Sequence, residues 1–201
     1  MISGYSDVLL TVCAEQLNEE CRSYVIRIED ESERMNNLIE TLLGFSRVAR
    51  YEVHRETVDL SKLAEDISFT LRMNEPERPA TVTIAEGMTV DADAALLRIV
   101  LENLLGNAWK YARKKAITLI DIGREEVEGK TIFFVKDNGA GFPMELADRL
   151  FCPFQRLHDK ADYPGHGIGL ATVQRIINRH GGAIWAVAEP DQGATFFFTL
   201  E

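Results

Sequence analysis

At 201 residues the chain can bury a sizeable core and still carry a smaller appendage. Its 46% hydrophobic and 27% charged residues exclude a disordered chain, and its formal charge of -10 argues against nucleic acid as a partner, because a phosphate backbone would be repelled. A small anion held by a few local donors stays compatible with that charge. No apolar run approaches the roughly 18 residues of a membrane span, and MISGYSDVLL has neither a basic leader nor a cleavage site. Cys13, Cys21 and Cys152 are odd in number and lack metal-ligand spacing, which fits reduced thiols in a cytoplasmic segment without direct membrane contact.

In chain order, residues 2–50 read as two helices with a break near Glu15–Asn18. Ile2, Tyr5, Leu9 and Val12 recur at spacings of three and four in the first. In the second, Ile28, Met35, Leu42 and Ala49 form a heptad series, and Tyr24, Leu38 and Phe45 lie on another. Two such seams suit a helical hairpin that pairs with a second copy into a four-helix bundle. The pattern then changes: YEVHRETVDL alternates like a strand, SKLAEDISFTLR returns to a helical period, and TVTIAE and MTVDA look like short strands. A long helix is expected over Asp93–Arg113, with Leu97, Leu101, Leu104 and Ala108 on its apolar face. AITLIDIG and KTIFFVKD are strands, the latter apolar enough to be central. GIGLATVQRIINRH is an amphipathic helix stopped by Gly181–Gly182, and AIWAVAE and ATFFFTL close the chain as strands. The expected fold is α+β, a two-layer sandwich of a mixed sheet with about three helices on one face, preceded by an α-helical hairpin. The expected domains are residues 1–52 and 53–201.

Three clusters carry chemistry. Asn103, Asn107 and Lys110 share one helical stripe beside the apolar face, where partly buried amides and an ammonium need partners. Hydrated Mg²⁺ and the phosphates it neutralises would supply them; capping amides beside a surface lysine are the plainer alternative. Asp137-Asn138-Gly139-Ala140-Gly141-Phe142 follows a buried strand. Its carboxylate can accept from an exocyclic amino group while the glycines allow close approach to a flat ligand; a plain turn would also use this sequence. Gly165-His166-Gly167-Ile168-Gly169-Leu170 opens a helix, where free backbone N–H groups can cradle phosphate. It lacks the ending of a P-loop and does not follow a strand in a βαβ unit. PFQRLHDKADYPGHG between the last two clusters has the composition of a mobile lid, with Arg156 placed to reach a terminal phosphate. Gly193-Ala194-Thr195 would border a base.

The order Asn…Asn-x-x-Lys, DNGAGF, a Phe-bearing segment, GHGIGLA and GATFFFTL resembles the N, G1, F, G2 and G3 boxes of two-component sensor histidine kinases, whose ATPase domain is of the GHKL type. LENLLGNAWKYA, LFCPFQRLH and GLATVQRIINRHGG are most similar to the bacteriophytochrome-like subgroup. The resemblance covers residues 56–201 strongly and extends over 4–50 to the family's dimerisation helices. It implies that Asn107 coordinates Mg²⁺ with Asn103 alongside, and that Lys110 and Tyr111 lie near the phosphates of ATP. Asp137 would read the adenine amino group, Gly139 and Gly141 would shape the base pocket, and Phe151 and Phe154 would anchor the lid. Gly165, His166, Gly167, Ile168, Gly169 and Leu170 would form the phosphate loop, and Thr195 would sit near the base. The implied partners are a second copy and a response-regulator receiver domain.

The family's phosphate-accepting histidine, with its following Leu-Arg-x-Pro-Leu stretch, has no counterpart here. His54 is expected to be solvated, His158 lies in the lid, His166 in the phosphate loop, and His180 at a helix C-terminus that favours a cationic ring. The expectation is therefore a C-terminal portion of a longer kinase, whose parent is either free or membrane-tethered through a missing region; a free-standing ATP-binding module is the alternative. A GHKL ATPase of the gyrase or chaperone kind would have an acid at the position of Asn103, whereas Glu102 lies about 100° away around the helix. A serine kinase of the anti-sigma type and a nucleotide-binding scaffold are the remaining alternatives.

Overall fold

The computed structural model describes residues 2–13, 17–159, 162–163 and 165–201. They fall into two compact units, Met1–Arg47 and Val48–Glu201. No helix among the described residues is long and apolar enough to cross a membrane.

The first unit is helical. Helix α1 spans Ile2–Thr11, and α2 runs from Glu19 to Arg50, through the division between the units. Asn18 starts α2 by accepting the Cys21 N–H at 2.7 Å, which satisfies one of the unpaired amides of the first turn. Part of the expected break, residues 14–16, lies outside the described residues, as do the side chains of Phe45 and Ala49. Tyr24, Ile28, Met35 and Leu42 are exposed along α2, whereas Val25 and Ser32 are buried.

The second unit contains β1 (Glu56–Asp59), α3 (Leu60–Asn74), β2 (Ala80–Ile84), β3 (Thr89–Ala92), α4 (Ala94–Tyr111), β4 (Thr118–Val127), β5 (Lys130–Asp137), α5 (Gly169–Arg179), β6 (Ile184–Glu189) and β7 (Gly193–Phe198). Its main sheet has the order β2-β4-β5-β7-β6; β2 and β4 are parallel and the remaining pairs antiparallel. The apolar strand KTIFFVKD is therefore central, as its composition implied. A separate antiparallel ribbon pairs β1 with β3, so only the end of YEVHRETVDL forms a strand.

Alternation along the strands builds one buried face. Ile120, Ile122, Phe133, Val135, Ala194, Phe196 and Phe198 share a cluster with Leu97, Leu101, Leu104 and Ala108 of α4 and with Val173, Ile176 and Ile177 of α5. On the other face, Trp185 stacks on Phe197 at 5.6 Å, and Phe134 occupies the space that a side chain at residue 123 would need; a Cβ on Gly123 would lie 2.5 Å from the ring. Asp59 and Asp93 cap α3 and α4, accepting from the Lys62 and Leu96 N–H groups, each at 3.0 Å. Helix α5 ends in a Schellman arrangement: the Gly182 N–H reaches the Ile177 carbonyl and the Gly181 N–H that of Asn178, with Gly181 at φ +79°.

His180, the last residue before those glycines, is wholly buried. Its Nδ1 lies 2.9 Å from the Ile176 carbonyl and its Nε2 accepts the Asp93 N–H at 3.1 Å. A ring that donates at one nitrogen and accepts at the other is neutral, which corrects the cationic ring expected from the helix terminus. His54 has the exposed ring expected of it, but its backbone N–H donates to Asp93 Oδ2 at 2.9 Å. Residues 53–55 are thereby docked on the second unit, and the division between units falls inside α2, ahead of the 52/53 boundary read from composition.

Candidate nucleotide-binding site

Helix α4 contributes the first wall. Leu97, Leu101, Leu104 and Ala108 bury one stripe, which leaves Asn103, Asn107 and Lys110 half-buried at its margin. Asn103 donates through Nδ2 to the Ile99 carbonyl at 2.8 Å. Its Oδ1 lies where a Cβ on Gly169 would stand, 2.3 Å away, so α4 and the first residue of α5 meet only because residue 169 has no side chain. The Asn107 side chain has no hydrogen-bond partner among the described residues. Lys110 Nζ sits over the Tyr111 ring, 4.3 Å from its centroid. Burial, and then the nearby Arg156 guanidinium, lower the lysine to about 8. Glu102 is exposed, off this stripe.

The end of β5 and the turn after it form the second wall. Asp137 is buried, and its Oδ1 accepts the Gly139 N–H at 2.7 Å. Burial raises its carboxyl to about 6, although backbone N–H groups of Gly139 and Ala194 pull the other way. Gly139 packs against the Tyr111 backbone, where a Cβ would lie 2.7 Å from the carbonyl carbon. Gly141, at φ +57°, leaves room for the Glu189 carbonyl, 1.9 Å from a hypothetical Cβ. The Ala140 N–H bonds the Tyr111 carbonyl at 3.1 Å, which ties this turn to the end of α4. Asn138 points away from the site: its side chain bonds the Leu119 N–H and the Ile117 carbonyl, fixing the neighbouring strand start.

The third wall is the segment leading into α5. A 3₁₀ turn at Met144–Arg149, not foreseen in the sequence, precedes it. Lys160, Ala161 and Pro164 of the expected lid lie outside the described residues. Arg156 donates to the Gly165 carbonyl at 2.8 Å and to that of Tyr163. The Phe154 N–H bonds the Gly167 carbonyl at 2.8 Å, and Gly167, at φ +73°, leaves no space for a Cβ beside the Gln155 carbonyl. A Cβ on Gly165 would stand 3.5 Å from Lys110 Nζ, so this loop faces the lysine. Helix α5 begins without a side-chain cap, which leaves its first backbone N–H groups for a ligand or solvent. His166 is half-buried and has no hydrogen-bond partner among the described residues.

Asn103, Asn107, Lys110, Tyr111, Asp137, Gly139, Gly141, Gly165, Gly167 and Gly169 thus border one end of the α4–β5–α5 layer. Phe154, Thr195 and Arg156 stand otherwise than expected. Phe154 is 58% exposed at φ +65° and anchors nothing through its ring, whereas Phe151 is half-buried against the 3₁₀ turn and β6. Thr195 pairs with Lys136, not Asp137, so the two-residue strand period directs it to the opposite sheet face; Ala194 is the neighbour of Asp137. Ile168 is buried and Leu170 packs on the core, so only their backbones are available to a ligand. Arg156 uses two donors to brace the loop. An aromatic cluster was not foreseen: Tyr111 lies 5.0 Å from Tyr163 and 5.2 Å from His158, centroid to centroid. In the sequence only the two ring residues of the lid, His158 and Tyr163, offered a signal for it.

The donor set fits a magnesium–nucleotide complex. No group of three or more His, Cys, Asp or Glu side chains among the described residues could hold a metal by itself. One unpartnered amide oxygen beside a lysine suits a cation that keeps most of its ligands as water and phosphate oxygen.

The model of the histidine kinase-, DNA gyrase B- and HSP90-like ATPases matches residues 92–201. Cyanobacterial phytochrome A of Nostoc sp. is 32% identical over 199 residues, 99% of this chain and 26% of the relative. The methanogenesis regulatory histidine kinase FilI of Methanothrix harundinacea is 32% identical over 174 residues, 86% of this chain and 19% of the relative. The chain spans about a quarter of the length of the phytochrome relatives it matches. Among solved structures, full-length ShkA in complex with AMPPNP superposes with a TM-score of 0.73 at 26% identity, covering 99% of this chain and 42% of that one. The match includes both glycine loops and the α4 stripe, and with it the chain belongs to the histidine kinase-, DNA gyrase B- and HSP90-like ATPase family, carrying the ATP-binding domain of a sensor histidine kinase.

Proposed function

We propose that the site binds Mg²⁺-ATP through the residues named above, prefers adenine over guanine, and presents the γ-phosphoryl group to a histidine other than the four in this chain. The observation that carries this reading is Asp137, a buried carboxylate with two backbone donors and no ion-pair partner among the described residues. Such a group demands a further donor. The amino group of adenine supplies one; guanine would oppose it with a carbonyl oxygen. Gly139 and Gly141 let the turn close on the Tyr111 and Glu189 backbones and so would shape the wall beside the base, Asn107 would hold the metal with Asn103 beside it, and the metal would neutralise phosphate charge. Lys110 and the uncapped start of α5, with the Gly165–Gly169 backbone and His166 alongside, face the phosphates, and Arg156 braces that loop.

Transfer would break the bond between Pγ and the ADP oxygen and form a P–N bond at the unprotonated nitrogen of an imidazole, whose other nitrogen then releases its proton to solvent. Positioning and charge neutralisation supply the rate. Fast hydrolysis is not expected, since the exposed Glu102 is off the stripe. The phosphoryl group then passes to an aspartate of a response-regulator receiver domain, and the exposed α2 seam pairs two chains through residues 1–52. The segment acts in the cytoplasm without touching a membrane.

Titration calorimetry with Mg²⁺-ATP and Mg²⁺-GTP tests the base assignment. ATP should bind at least tenfold more tightly, about 1.4 kcal/mol. Equal affinities would remove Asp137 from the role.

A further inference from the structure

We propose that Arg55 is a positioning residue for phosphoryl transfer: it fastens the segment after α2 to the far ends of the two helices that build the nucleotide site. The proposal rests on the kinase reading above and concerns residues that the site does not use. Helix α4 carries Asn103, Asn107 and Lys110 in its second half and begins at Asp93; α5 begins at the phosphate-facing Gly169 and ends at His180. These two remote ends meet. The Asp93 N–H donates to His180 Nε2 at 3.1 Å, in a pocket where Asp93 is 2% exposed and His180 is sealed. His180 in turn bonds the Ile176 carbonyl of its own helix.

The strap closes on this node. The Asp93 carboxylate caps α4 with Oδ1 and takes the His54 N–H at Oδ2. Arg55 ties the strand that leads into α4 to the end of α5: Nη1 donates to the carbonyl of Asp91 in β3 at 3.1 Å and Nη2 to the His180 carbonyl at 3.3 Å. The Asp91 carboxylate stands 3.8 Å from the same guanidinium, and Val53 packs against the core. A planar guanidinium reaches the two carbonyls with two separate nitrogens in a fixed fork, whereas a lysine must offer all its donors from one nitrogen. The strap therefore grips the same two rigid bodies that hold the nucleotide, at the ends that the nucleotide does not touch. Loosening it leaves the binding residues in place but frees the segment that leads to α2, and near-attack geometry depends on such restraint.

The first test uses this chain. Arg55→Ala should speed hydrogen exchange in the 51–59 peptide at least fivefold while the Mg²⁺-ATP dissociation constant stays within twofold. Arg55 is partly exposed, so the fold should survive; Arg55→Lys, which keeps one donor group and the charge, should give an intermediate rate. The second uses the chain extended at its N-terminus through a helix bearing an acceptor histidine. There Arg55→Ala should lower the transfer rate at saturating ATP at least fivefold with an unchanged KM for ATP. Unaltered exchange, an unaltered transfer rate, or a loss confined to ATP affinity would each overturn the proposal. Absence of labelling in the unsubstituted extended chain is a different failure, that of the kinase reading, and is seen before any variant is made.

Discussion

Asp137 pays a measurable cost for its position. Its carboxyl, ordinarily near 3.8, is raised to about 6 by burial. The folded chain therefore holds this proton where the unfolded chain has lost it, so the associated stability is complete below about pH 4 and is lost as the pH rises through 6. By linkage the loss is roughly 2–3 kcal/mol. Asn in its place keeps an acceptor for the Gly139 N–H and carries no charge to desolvate. Asp137→Asn should raise the melting temperature of the nucleotide-free protein at pH 7.5, with little gain at pH 4, and weaken Mg²⁺-ATP more than tenfold. The parent should lose ATP affinity as the pH drops through 6, and the variant should not. Thermal melts and titrations across that range check the signs; a variant less stable at pH 7.5 contradicts the desolvation argument. Asp137, Gly139 and the α4 stripe were legible in sequence because a charge or a missing side chain at a fixed spacing limits what the backbone can do. Thr195 was not. Its facing depends on the register of β7 against β5, and a one-residue difference sends a strand side chain to the other face.

At the scale of elements, two glycines have opposite consequences. Gly141 has φ +57° and a hypothetical Cβ 1.9 Å from the Glu189 carbonyl, so Gly141→Ala must move the β6–β7 turn away from the site. Gly106 lies inside α4 with nothing within 4 Å of a Cβ. Gly106→Ala should stabilise by about 0.5–1 kcal/mol, since alanine loses less backbone entropy in a helix. Gly141→Ala should destabilise by about 2 kcal/mol or more and abolish nucleotide binding. Denaturant unfolding of both variants distinguishes the positions, and equal midpoints would mean that the turn can rearrange freely. Helices α3, α4 and α5 were legible from period and caps, and β4 to β7 from apolar runs. The β1–β3 ribbon was not, because pairing Glu56 with Ala92 joins short segments across a whole helix and strand. The 3₁₀ turn at Met144–Arg149 buries none of its residues, so it left no apolar period to read.

For the whole molecule, the decisive feature is which histidine can meet the γ-phosphoryl group. His180 has both ring nitrogens engaged and no exposed surface. His158 packs among Tyr111 and Tyr163, and His166 lies in the glycine loop itself, so both belong to the wall of the site and not to an incoming helix. His54 is held by its backbone to Asp93, at the α4 terminus remote from Lys110. In-line transfer needs an imidazole that approaches along the axis of the breaking bond. The chain should therefore bind Mg²⁺-ATP and remain unlabelled by γ-labelled ATP. Tyr24, Ile28, Met35 and Leu42 are exposed on α2 in one chain, and on the proposed reading this apolar seam would pair two copies and bring such a histidine within reach. Extending α1 at its N-terminus by the turns that carry an acceptor histidine should produce a dimer with acid-labile, alkali-stable label. Replacing that histidine should remove the label, and Asn107→Ala should remove it with the histidine present, by weakening Mg²⁺-ATP and not the fold. Label on any of the four histidines of the unextended chain would contradict the assignment. An extended chain that binds ATP and dimerises yet stays unlabelled would instead make the module a nucleotide-dependent scaffold, in which the same site holds ATP without passing it on.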